Sequence, residues 1–256
     1  MTATPSSRRW PWFISAVCLL VAGGAAGVAT YLFWLPCRGS MLDGSILGLG
    51  GGIEFSDACL ERMDSGTPFP CPEALGEGVT ASAMFAAAAI AVTALAWLPV
   101  ALGLGWRARS RLVALLPVAA TLLLAVRSYP GAQGIVGSAG NAPLWLAVEV
   151  LGLAAVLLVF RWEIGAGSAL LIRLLVLSWG ATAFGIVHQS GDYILMIATS
   201  SANWDVPPGT GYITSALLAL AAAVTMVTGS HRRWPTNWPR TAPSDSTKAD
   251  PTGILV

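Results

Sequence analysis

The sequence predicts an all-α, polytopic integral membrane protein with six transmembrane helices, both termini in the cytoplasm and one acidic extracytoplasmic loop after the first helix. Three observations lead there. Only 11% of the 256 residues are charged against 55% hydrophobic, with a mean hydropathy of +0.69; soluble domains carry about 25% charged residues. Apolar runs of membrane-crossing length recur along the chain, each near the roughly 20 residues that about 30 Å of hydrocarbon requires. Basic residues collect on alternate sides of those runs. This composition excludes a soluble globular domain, a disordered chain and a nucleic-acid-coating protein.

The first span is expected from about Trp12 to Leu35 and the second from Val79 to Gly105. The third covers Leu112 to about Gln133, the fourth Pro143 to Phe160. The fifth runs from about Ala169 to Val187, with an extension to Ala198 open, and the sixth from Tyr212 to Val227. Residues 1–230 thus form one membrane domain, including an outer loop at 36–78. Residues 231–256, rich in Pro, Ser, Thr and Arg, read as a disordered cytoplasmic tail.

Orientation follows from the positive-inside bias. With both ends inside, the inner segments hold Arg8, Arg9, Arg107, Arg109, Arg111, Arg161, Arg232, Arg233, Arg240 and Lys248, and the outer loops only Arg38 and Arg62. Indoles prefer the headgroup level. Trp10, Trp12, Trp106, Trp162 and Trp234 fall at expected inner boundaries and Trp34, Trp145 and Trp204 at outer ones, while Trp97 and Trp179 fall inside spans as packing residues. The first span is too long for a signal core and is read as an anchor. Its Gly23-Gly24-Ala25-Ala26-Gly27 stretch allows close helix approach, within the bundle or to a second copy.

In the outer loop, Asp43, Glu54, Asp57, Glu61, Asp64, Glu73 and Glu77 outweigh Arg38 and Arg62, a net of −5. Phe55 to Asp64 is expected to be a short helix, with Glu54, Asp57, Glu61 and Asp64 on one acidic face. That face suits either the wet side of a cap helix or a docking surface. Cys37, Cys59 and Cys71 also lie in this loop, where an oxidising compartment allows a disulfide in any of three pairings; Cys18 is a small apolar residue of the first span.

Ionisable groups at membrane depth are costly unless paired or wet, so they are the first candidates for function. Arg173, near the inner end of the fifth span, can snorkel. Arg127, Glu149, His188 and Asp192 fall in similar outer layers of three helices, under Asp205 and the Pro207-Pro208-Gly209 turn. Two arrangements are open: an Arg127–Glu149 ion pair locking two helices, or a polar cavity in which Glu149, or His188 with Asp192, carries a proton.

The only lysine is Lys248, which excludes an in-span retinal Schiff base, and of the two histidines only His188 falls near membrane depth, which leaves neither a bis-histidine haem within the bundle nor a multi-histidine metal centre. No phosphate loop, dinucleotide fingerprint, nucleophile elbow, C-x-x-C pair or inverted repeat is present. No metal or other cofactor is implied. The expected partners are membrane lipids and a membrane-protein partner or second copy, with no nucleic acid. Three classes remain for function: an accessory or structural membrane protein, a small-molecule transporter or permease subunit, and an enzyme acting on a lipid or envelope substrate at the outer face. Thirteen arginines to one lysine, with abundant alanine and glycine, suggest a bacterial plasma membrane.

Overall fold

Long apolar stretches in the sequence become helices because backbone groups in lipid must be satisfied within their own segment. The computed structural model of the chain describes residues 9–38, 55–64, 66–69, 79–104, 106–129, 142–162, 168–199 and 206–230, and every regular element among them is helical. In chain order they are α1 (Trp10–Phe33), a 3-10 turn (Leu35–Cys37), α2 (Asp57–Asp64), α3 (Val79–Leu95), α4 (Leu98–Gly103) and α5 (Ala108–Ser128). Then come α6 (Ala142–Trp162), α7 (Ser168–Ala181), α8 (Ile186–Thr199) and α9 (Tyr212–Ser230).

Five helical stretches are each long and apolar enough to cross a membrane: α1, the stretch Val79–Gly103 made of α3 and α4, α5, α6 and α9. The pair α7–α8, bent by 67° across a short break, makes a sixth if it is one span. The sequence had left the fifth span ending at Val187 or running on to Ala198. In the structure helix resumes at Ile186 and runs to Thr199, but behind a break at Thr182–Gly185 that no proline announces.

The helices close a ring. Going round it, α1 packs on α3, α3 on α5, α5 on α6, α6 on α7, α7 on α9, and α9 returns to α1. The last contact fixes direction: Gly229 lies against Trp12 at one end and Thr210 against Trp34 at the other, so α1 and α9 are antiparallel and both outer limits of the bundle, near Trp10 and Ser230, share one end. The small-residue stretch of α1 is spent on this seam. The Ser215 hydroxyl donates to the Gly23 carbonyl at 2.6 Å, and a Cβ on Gly27 would meet Ser215 Oγ at 3.1 Å, whereas Gly24 faces open space. Across the other seam the Ser82 hydroxyl donates to Ala29 O, and Ser15 to Ala96 O where the α3 helix breaks before Pro99.

Of the indoles expected at span ends, Trp10 is exposed and Trp162 half-buried, and others pack against neighbouring helices. Trp12, Trp34 and Trp106 are buried, as is Trp97. Trp34 donates its Nε1–H to the Thr210 carbonyl at 2.9 Å and stacks edge-on against Phe33, so it joins the ends of α1 and α9. Arg173 places its guanidinium 5.8 Å from the ring centre of the buried Trp12. Arg109 sits similarly over Trp162 at 5.1 Å.

The segment that follows α1 is tied down at its start. Of the three pairings open from sequence, the structure has Cys37–Cys59, with Cα atoms 4.8 Å apart; Cys71 lies outside the described residues. This bond draws α2 onto the top of α1, where Cys59 and Met63 bury beside Phe33 and Trp34. Asp57, Glu61 and Asp64 are exposed on the far face of α2, and Glu54 lies outside the described residues. Further along, Phe69 packs edge-on against Phe184 at the α7–α8 break.

Candidate functional site

A broken helix in the middle of a bundle has a backbone problem. The last carbonyls of α7 and the first N–H groups of α8 lack partners in their own helices, and lipid supplies none. The local sequence solves both halves. Thr182 turns its N–H and its hydroxyl back to the Ser178 carbonyl, each at 2.9 Å, and Ala183 N–H reaches Gly180 O. The Gln189 amide donates to Ala183 O at 2.9 Å. On the α8 side, Glu149 reaches across from α6 and its Oε1 accepts the N–H of Val187 at 2.9 Å and of His188 at 3.2 Å. A carboxylate at a helix N-terminus is also favoured by the aligned peptide dipoles. The approach requires Gly185, since a Cβ there would fall on the Glu149 side chain.

The same Glu149 oxygen lies 3.1 Å from His188 Nδ1, with both side chains about one-seventh exposed. A carboxylate oxygen at that position accepts from a proton-bearing Nδ1. Nε2 is then left buried without a hydrogen-bond partner among the described residues, beside the tilted Trp179 ring.

One turn further, Asp192 repeats the device on the next helix. It is buried, and it accepts from the N–H of Gly211 at 3.1 Å, the N–H of Thr214 at 3.0 Å and the Thr214 hydroxyl at 2.7 Å. Gly211 and Thr214 open α9, so Asp192 caps α9 as Glu149 caps α8. Gln189 joins the two ends by donating a second time, to Thr214 Oγ1 at 3.1 Å. The turn feeding α9 uses positive φ at Gly209 and Gly211, which glycine adopts without strain. Gly211 also packs where a Cβ would meet Thr30 Oγ1 at 2.6 Å.

Three of the four residues singled out at membrane depth therefore form one layer: Glu149 with His188, and Asp192 a turn along from His188. Arg127 lies in the last turn of α5, and Asp205 lies outside the described residues. What sequence reasoning missed are the partners: Gly185, Gln189, Gly211 and Thr214. The Gly209-Thr210-Gly211 triplet was legible as a turn signal before an apolar run, and Thr214 sits at the depth in the first turn where a capping acceptor is needed.

Chemically, this layer can hold a proton and lock helix ends. Among the described residues no three His, Cys, Asp or Glu side chains converge as a metal site. No protein-family model matches the chain, and neither a curated protein nor a solved structure matches it.

Proposed function

We propose that the chain is an accessory or structural multi-pass protein of a bacterial plasma membrane, acting with partner chains, with both termini in the cytoplasm. One observation carries this reading: the carboxylates at membrane depth are spent on capping neighbouring helices, Glu149 on α8 and Asp192 on α9, rather than converging on a shared open site. The Cys37–Cys59 bond supports placing that end of the bundle in an oxidising compartment, and the basic bias supports the opposite end as cytoplasmic. Reporter fusions after residues 40 and 240 test the orientation, and both in the same compartment would overturn it. Purification in mild detergent should retain a partner chain. A purified chain that alone conducts a solute across vesicles, dependent on Glu149, would refute the accessory role.

The α7–α8 break favours a second reading, a permease subunit, because transporters place substrate sites at interrupted helices. That vesicle flux is the result it requires.

A further inference from the structure

At the end of the bundle opposite the capping layer, α1 and α9 frame a groove of about 290 Å³ lined by Arg9, Trp10, Phe13, Met226 and Gly229. Its origin is the close approach at Gly229, where a Cβ would stand 2.8 Å from Trp12 Cβ. The backbones converge there, and the larger side chains rise as walls: Trp10, Phe13 and Met226 are exposed. The groove is apolar, and Arg9, which is exposed, is the charged residue among those lining it. Arg173 stands over Trp12 beside it. No acidic residue occurs in 1–42 or in 206–244, the stretches that contain α1 and α9, and Arg8, Arg232 and Arg233 adjoin the two helix ends in sequence.

We propose that this groove holds one anionic phospholipid, an acyl chain lying between the aromatic wall of α1 and Met226 and the phosphate at Arg9. Both helices are apolar enough to cross a membrane, so the walls meet acyl chains and the Arg9 end meets headgroups. A free phosphate would engage Arg9 alone and leave the apolar walls bare. Charge complementarity selects an anionic headgroup, since a choline group would bring a second cation to the Arg9 guanidinium. This rests on the chain being embedded in a membrane and is independent of its role and sidedness.

The test uses the full chain in mild detergent, mixed with phosphatidylglycerol or phosphatidylcholine and read by native mass spectrometry. One phosphatidylglycerol per chain should be retained in preference to phosphatidylcholine. Arg9→Gln should lower that retention about fivefold, the change expected for one basic group near an anionic surface, and leave phosphatidylcholine binding unaltered. Met226→Trp, which fills the groove at an exposed position, should abolish the retained lipid, while Leu157→Trp on the exposed face of α6 should not. Equal retention of the two lipids, indifference to Arg9→Gln, displacement by inorganic phosphate, or a second copy cross-linked through Phe13→Cys would each overturn the proposal. A chain that stays dispersed without detergent would instead remove the membrane reading beneath it.

Discussion

Alanine at Gly185 probes the capping layer at its tightest point. The new Cβ would stand 2.5 Å from Glu149 Cδ and 2.6 Å from Oε1, so the carboxylate must leave. It takes with it the bonds to Val187 N–H at 2.9 Å, His188 N–H at 3.2 Å and His188 Nδ1 at 3.1 Å. Hydrogen bonds to a charged group contribute about 1.5–3 kcal/mol each. If relaxation preserves one of the three, the loss is about 3–6 kcal/mol, and the helix preference of alanine over glycine returns at most about 1 kcal/mol. A net cost of about 2–5 kcal/mol is expected in reversible unfolding by sodium dodecyl sulfate in mixed micelles, followed by tryptophan fluorescence. The sharper test is the double variant. Glu149→Ala removes the same bonds and also the atoms that alanine at 185 collides with, so adding Gly185→Ala to it should cost almost nothing. Independent sites add to within about 0.3–0.5 kcal/mol. Additive losses, or a Gly185→Ala protein as stable as the parent, would refute the reasoning.

Asp192→Asn should cost about 2 kcal/mol, because an amide nitrogen replaces one of two oxygens that together accept from Gly211 and Thr214; the exposed Asp57→Asn should change stability by less than about 0.5 kcal/mol in the same assay. Gly211→Ala, at φ +110° and against Thr30, should lower the unfolding midpoint markedly, while Gly24→Ala, facing open space within α1, should leave it unchanged or raise it by the equivalent of up to about 1 kcal/mol. Peptide mapping without reduction should recover Cys37 linked to Cys59, and Cys59→Ser should lower stability by about 3 kcal/mol for a loop closed over 22 residues. A Cys71-linked peptide in place of the Cys37–Cys59 one would contradict the arrangement at the top of α1.

Apolar length was legible because it is a one-dimensional property: α1, α3–α4, α5, α6 and α9 lie where runs of about 20 apolar residues placed them. The Gly23 to Gly27 stretch was legible as a close-packing surface for the same reason, although which helix it would meet was not. Glu149 shows where such reading stops. Its depth in α6 followed from counting residues, but its partners stand 38 and 39 positions away in a helix that begins only because α7 ends. Nothing within Ala181-Thr182-Ala183-Phe184-Gly185 forces a break by itself. The break is stable because Thr182, Gln189 and Glu149 satisfy its backbone and Phe69 packs on Phe184, and three of these four contributions come from outside the segment. Tryptophan contacts were hidden for a related reason. An indole at the end of a span serves a headgroup or a neighbouring helix end equally well, and Trp34 takes the Thr210 carbonyl.

The two capping contacts also run in one direction along the chain. Glu149 precedes the N–H groups it receives, and Asp192 precedes Gly211 and Thr214. A chain made from its N-terminus therefore has each acceptor in place before the polar helix start that needs it is synthesised. The nascent α8 and α9 enter lipid with a carboxylate already waiting. The ring, by contrast, closes between α1 and α9, so α1 gains that neighbour only after every other helix of the ring has been made.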